Sequence, residues 1–165
     1  MLELADCNWV VNKRNVILHG STGTGKTFLS CSLGAKACSY GYHVRYYRCA
    51  QLIRELTVAK SDGSYARMSS KIKKTDLLII DDWGMSPFTT EEAHDMFELI
   101  DDRHNSASTV FSSQVPATEW YEIIGEETVA DAIMDRIINT SYKIELKGPS
   151  LRPKKSLKAK DNTDK

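Results

Sequence analysis

Apolar and polar positions alternate along this chain in two recurring kinds of segment. Short stretches dense in aliphatic and aromatic residues, "NVILHG" (Asn15 to Gly20), "HVRYY" (His43 to Tyr47), "DLLII" (Asp76 to Ile80), "STVFSSQ" (Ser108 to Gln114) and "SYKIEL" (Ser141 to Leu146), read as strands. Between them lie longer stretches of helical character. "KTFLSCSLGAKACSYG" is closed by Gly41, and "AQLIRELTVAK" puts Leu52, Ile53 and Leu56 on one face. "TEEAHDMFELIDDRHN" offers Thr90 as an N-cap, acidic residues in the first turn, and Met96, Phe97 and Ile100 for burial. "ATEWYEIIG" and "ETVADAIMDRIIN" form two more helices, separated by Gly125, while the polar, lysine-rich Ser61 to Thr75 predicts a surface loop with a short helix. Strands alternating with helices predict an α/β fold with an open, mostly parallel five-stranded sheet. The division expected is a folded unit over 1–148 and a basic tail over 149–165, almost without apolar content and so disordered. No internal repeat is present.

The third strand ends in an unusual way, since "LLIIDDWG" runs four aliphatic residues straight into Asp81 and Asp82. A strand buried on both faces of a parallel sheet has this appearance, and ligands bind beyond the carboxyl ends of such strands. By that rule alone the two aspartates either face a cation or begin a surface turn. A second motif decides between these. The turn after the first strand is "GSTGTGKT", Gly20 to Thr27, which fits G-x-x-x-x-G-K-[ST] between a strand and a helix. Gly20, Gly23 and Gly25 let backbone N–H groups close on a phosphate at a helix N-terminus whose partial charge favours anions. Ser21, Thr22, Thr24 and Phe28 complete the candidate nucleotide-contacting set. Lys26 then reaches the β- and γ-phosphates of a nucleotide, Thr27 offers its hydroxyl to Mg²⁺, and Asp81 supplies the second metal-side oxygen. The class is therefore a P-loop NTPase, a three-layer sandwich.

Bulk properties add little and exclude much. A length of 165 residues with 41% hydrophobic residues suits one core, and a formal net charge of +0 gives no global drive toward nucleic acid or membrane. Cys7, Cys31, Cys38 and Cys49 form no CxxC pair, and His19, His43, His94 and His104 lack zinc-ligand spacing, which predicts reduced thiols in a cytoplasmic protein. No apolar segment has membrane-spanning length, and the start "LELADCNW" lacks signal-peptide character, so no membrane contact is expected. Two local basic patches stand out: Arg67, Lys71, Lys73 and Lys74, and Lys154, Lys155, Lys158 and Lys160 in the tail. Each is either a phosphate-contacting surface or a solvated charged face. A GTPase is disfavoured because no [NT]KxD motif follows the loop, and a small-molecule kinase because no arginine-rich lid is visible.

From about Trp9 to Arg152 the chain resembles the AAA+ ATPases of the IstB-like and DnaC-like group, the transposition helpers of insertion sequences and the helicase loaders. "NVILHGSTGTGKT", "LLIIDDWG", "STVFSSQVP", "EWYEIIGEETVADAIMDRI" and "IELKGPSLR" carry the resemblance. The pairing of "DDWG" with "SSQVP" and "ADAIMDR" looks more like the transposition helper. The resemblance implies an AAA+ core, ATP and Mg²⁺ as ligands, and a ring or filament on duplex DNA with a transposase, or else a helicase, as partner; the helical lid of many AAA+ proteins is not expected, because no apolar periodic sequence follows Leu146. It also implies roles. Gln114 would sense the γ-phosphate, Arg136 would complete a neighbouring subunit's site, and Asp82 would orient the attacking water where the family usually has glutamate. Aspartate is one methylene shorter, so slow, assembly-dependent hydrolysis is expected, since a misplacement of about 1 Å can cost ~100-fold. Plainer readings stand beside these: Gln114 as a loop amide, Arg136 paired with Asp135 or Asp131, Trp83 as a packing residue, and Trp9 with Val10 as a hydrophobic anchor or the edge of an adenine pocket. Arg103 and Arg152 are further candidates for phosphate or neighbour contacts. Only a brief lead precedes the first strand, where family members usually carry a longer segment, and a truncated ATP-binding scaffold without turnover is the remaining alternative.

Overall fold

The computed structural model describes residues 2–152. Five strands, β1 (Asn15–Gly20), β2 (Val44–Arg48), β3 (Leu77–Asp81), β4 (Ser108–Ser113) and β5 (Ser141–Leu146), form one sheet in the order β2-β3-β4-β1-β5. Every pairing is parallel, with Ile17 opposite Phe111 and Ile79 opposite Val110 near the centre. The order explains the sequence pattern. β3 and β4 are buried throughout because both have strand neighbours and covered faces, whereas the edge strands β2 and β5 expose residues along their length.

Alternation along β3 separates two cores. Leu78 and Ile80 face the layer formed by α4 (Cys49–Asp62), α5 (Tyr65–Lys73), α6 (Thr90–Arg103), α7 (Trp120–Ile124) and α8 (Glu127–Ile138). Leu77 and Ile79 face the other layer, made by α3 (Lys26–Ser39) with the short turns α1 (Leu2–Ala5) and α2 (Asn8–Val11). α3 comes in close at Gly34, where a β-carbon would stand 2.8 Å from Ile79 Cδ1. The three-layer α/β sandwich is as expected. No helix among the described residues is long and apolar enough to cross a membrane.

Several local features differ from the pattern-based expectation. The cap of α6 is Thr89 instead of Thr90: its side chain accepts from Glu92 N at 3.2 Å, and Glu92 Oε2 accepts from Thr89 N at 2.8 Å. Only Thr89 has a glutamate three residues on, so only it can close this reciprocal box. The lead before β1 is helical, and Trp9 and Val10 are each 1% exposed, with Trp9 Nε1 donating to Leu4 O at 3.2 Å. They anchor the terminus. Pro149 to Arg152, expected to begin a disordered tail, lie back on the loop after β1, held by Leu151 N donating to Gly23 O at 2.8 Å. The tail lysines 154, 155, 158 and 160 lie outside the described residues.

The cysteines divide two and two, with Cys31 and Cys38 exposed and Cys7 and Cys49 buried. Burial pushes the Cys49 thiol up to about 12 and raises that of Cys7 as well. A disulfide reagent at pH 8 is expected to modify two thiols rapidly and two only on unfolding. Rapid reaction of all four would contradict this packing. Because the folded-state value of Cys49 is raised, the stability linked to it is complete below about 8.5. It is then lost as pH climbs toward about 12.

Candidate nucleotide site

All the candidate residues next to the loop lie at the carboxyl ends of the strands. After β1 the chain crosses to β2 on one side, and after β4 it crosses to β5 on the other, so the strand order switches direction between β1 and β4. A crevice opens at such a switch point, and there the phosphate loop, the end of β3 and the end of β4 converge.

The loop itself is shaped by its glycines. Gly23 and Gly25 sit at φ of 83° and 94°, in the left-handed region that side chains resist. Gly20 packs so closely on the end of β5 that a β-carbon would lie 2.5 Å from Leu146 O. Lys26, only 7% exposed, curls over its own loop and donates to Gly20 O at 2.6 Å and Ser21 O at 2.8 Å. Burial lowers its pKa, while Asp81 and Asp82 act in the opposite direction. Thr24 Oγ1 donates to Ser21 O at 2.8 Å, and Thr22 Oγ1 to Gln114 Oε1 at 2.6 Å. The resulting cleft has a volume of about 430 Å³, bounded by Thr22, Gly23, Gly25, Lys26, Thr27 and Phe28 from the loop and helix, Asp82 and Gln114 from the other strand ends, and Leu151 and Arg152. Phe28 is 79% exposed at its mouth.

Asp81 is the most elaborately held group. Its Oδ2 accepts from Thr27 Oγ1 and from Tyr46 OH, each at 2.7 Å, and its Oδ1 accepts from Asp82 N at 3.0 Å. At 2% exposure burial alone would raise its pKa, yet the carboxyl is held below its usual range because these donors favour the charged form. The Ser112 hydroxyl adds to this through proximity, although it meets no partner in hydrogen-bond geometry. Tyr46 responds in the other direction: burial, together with its bond to Asp81, pushes the phenol up to about 12, so it remains a proton donor. Asp82 stands at φ 58°, a conformation uncommon outside glycine, which turns it away from the strand and into the cleft.

β3 and β4 are fastened together just beyond this point. Trp83 N donates to Ser112 O at 2.8 Å, and Ser113 Oγ donates to Trp83 O at 2.6 Å. The indole is fully buried, edge-on to Phe88 and Phe111 at ring distances of 5.3 and 5.2 Å. Trp83 is thus a packing residue that sets where the two aspartates emerge.

Arg136 and Arg103 lie elsewhere. Arg136, near the end of α8, pairs with Asp101 of α6, places its guanidinium 4.9 Å from the Phe97 ring and borders a crevice with Asn15, Arg103 and Thr109. Those are amino-end positions of the strands, roughly 16 Å of strand from the loop. Its partner is neither Asp135 nor Asp131. Arg103 is buried and donates to Ile72 O at 2.7 Å, Thr75 O at 2.8 Å, Ser108 O at 2.6 Å and Thr109 Oγ1 at 3.1 Å. It is a strut for backbone carbonyls and reaches no phosphate. Arg152, a candidate for phosphate contact, borders the cleft, whereas Tyr46 and the return of Leu151 onto the loop carry no sequence signal, the first because a tyrosine on an edge strand has no motif, the second because nothing local marks the turn back.

The fold and this cleft define a nucleotide-binding protein of the P-loop class. Solved structures with the same fold include DnaI (TM-score 0.74, 24% identity, 84% of this chain and 76% of that one) and the DnaC helicase loader (TM-score 0.72, 15% identity, 88% and 87%). The replication initiator DnaA bound to AMPPCP and single-stranded DNA is similar too (TM-score 0.73, 17% identity, 89% and 45%). More particularly, the chain belongs to the IstB-like ATP binding protein family, whose profile matches residues 1–159. It is 40% identical over 151 residues to an insertion-sequence ATP-binding protein of Sinorhizobium fredii, covering 92% of this chain and 62% of the relative. To the insertion sequence IS21 ATP-binding protein of Pseudomonas aeruginosa it is 36% identical over 157 residues, covering 95% and 59%. The chain thus spans about three fifths of the length of these curated relatives.

Proposed function

We propose that this chain binds ATP with Mg²⁺ in the cleft, hydrolyses it, and acts in the cytoplasm as a helper that assembles on duplex DNA and recruits or activates a transposase. One observation carries the nucleotide part: Thr27 Oγ1 lies 2.7 Å from Asp81 Oδ2, beside Lys26 and at the mouth of a phosphate loop. Hydroxyl and carboxylate oxygens are the hard donors that Mg²⁺ prefers, so the residues present fit the ion. When bound, the ion would offset charge on the β- and γ-phosphates.

The chain's own residues account for the remaining work. Lys26 exchanges the carbonyls of Gly20 and Ser21 for phosphate oxygens, a substitution of one set of hydrogen bonds by another inside a nearly closed loop. Backbone N–H groups at the start of α3 face the phosphates. Asp82 orients the attacking water, and Gln114, tied to Thr22, reads the γ-phosphate. Arg136 is too far from its own cleft to act there, so its contribution falls on a neighbouring subunit.

The transposition reading draws its support from insertion-sequence relatives at 40% and 36% identity; the helicase loaders share the fold at 24% or less. For DNA, Arg67 and Lys71 of α5 and Lys74 at its C-cap stand in exposed positions, whereas Lys73 is engaged with Asp102 at 3.0 Å. The test is phosphate release with duplex DNA as a function of protein concentration. Turnover per subunit is expected to rise steeply as subunits assemble. Flat, background turnover with intact ATP binding would leave a nucleotide-binding scaffold instead.

A further inference from the structure

One of the donors on Asp81 has no part in the reading above. Tyr46 lies on the edge strand β2, where the register sets it opposite Ile79 and sets Arg48 opposite Asp81. From there its ring extends along the sheet to the strand end, and its hydroxyl donates to Asp81 Oδ2 at 2.7 Å. The same oxygen accepts from Thr27 Oγ1 at 2.7 Å, while the other oxygen takes the N–H of Asp82 at 3.0 Å. Tyr46 is 40% exposed with its hydroxyl turned in to Asp81, so exchanging it for phenylalanine removes the hydrogen bond while the ring keeps its packing.

We propose that Tyr46 is a positioning residue for the divalent cation, locking the Asp81 carboxylate so that Thr27 keeps giving its proton to Oδ2 and presents its oxygen lone pairs to the ion. The inference rests on the ATP and Mg²⁺ reading of the cleft. A carboxylate rotates about a broad, roughly two-fold torsion, and a donor that approaches from a separate strand removes that freedom. Without the phenol hydroxyl, the Asp82 N–H and Thr27 remain the only donors within hydrogen-bond geometry among the described residues. Thr27 then has to hold the carboxylate and serve the cation at once. Partners of this outer kind commonly tune metal affinity by about 10- to 100-fold.

The Tyr46→Phe variant removes one oxygen and retains the ring. Binding of a fluorescent ATP analogue is measured in EDTA and then along a Mg²⁺ titration, together with the melting temperature. The variant is expected to need on the order of 10-fold more Mg²⁺ to reach half-maximal tightening. Nucleotide affinity in EDTA should match the parent protein, and the melting temperature should fall by only a few degrees, since one hydrogen bond to a carboxylate is lost and the ring is kept. An unchanged Mg²⁺ midpoint would overturn the inference, as would a loss of nucleotide affinity in EDTA as large as the loss along the Mg²⁺ titration, which marks a residue that only packs. If the parent protein itself bound the nucleotide without any response to Mg²⁺, the reading of the cleft would fail first and this inference with it.

Discussion

Lys26→Ala is expected to reduce ATP turnover by about 10²- to 10³-fold, the scale of losing one preorganised charge-stabilising donor in a closed site. The lysine is already where it must act. The residue is 7% exposed and its ammonium is bonded to Gly20 O and Ser21 O, so engaging phosphate costs no extraction from bulk water. Removing it takes one donor from each of those loop carbonyls, while Ser21 O keeps Thr24 Oγ1 at 2.8 Å, and a stability loss of about 1 kcal/mol follows if water replaces the ammonium. A urea titration beside the phosphate-release assay therefore separates a chemical defect from an unfolded loop. Lys26→Arg should not rescue turnover, because a planar fork cannot take the place of a compact ammonium between two carbonyls. Burial also lowers the lysine's pKa in the free cleft, so kcat/KM of the parent protein should decline with rising pH before an ordinary lysine would lose its proton. Turnover in Lys26→Ala equal to that of the parent would remove the phosphate-loop assignment.

Much of this site was readable because its chemistry is local. The loop motif occupies consecutive positions, Asp81 terminates an apolar run, and β1 and β5 begin and end where their patterns do. What escaped is tertiary. Arg136 was weighed against acidic residues on its own helix, since helical spacing can be counted along the chain, yet its partner Asp101 comes from α6. Arg103 looked like a free cation because its four acceptors are backbone and hydroxyl oxygens from α5, its C-terminal turn and β4, and such acceptors have no sequence signature. Tyr46 meets Asp81 only once β2 pairs with β3. The return of Leu151 onto Gly23 likewise depends on where β5 ends relative to the loop. In each case the missing information was which element lies alongside, and periodicity within one element does not contain it.

Arg136→Ala tests the assembly directly, and it is expected to lower turnover by about 10³- to 10⁵-fold while ATP binding is retained, the range for an arginine supplied in trans. Such a loss cannot come through the fold alone. The ion pair with Asp101 is partly exposed, at 26% for the arginine and 49% for the aspartate, and pairs of that kind contribute about 1 kcal/mol or less. The Phe97 ring adds about 0.5–1 kcal/mol at such a site. Asp101→Ala should accordingly keep its turnover, because it breaks the pair and leaves the guanidinium free for a neighbour. The decisive measurement mixes two inactive variants. Arg136→Ala subunits hold an intact cleft and lack the arginine; Lys26→Ala subunits lack the cleft's lysine and supply the arginine. Where one sits beside the other, a complete site forms at their junction, and turnover should return in the mixture at concentrations where each variant alone is silent. A mixture that stayed inactive, with both variants folded and Arg136→Ala still binding ATP, would confine Arg136 to bracing α8 against α6 within its own subunit.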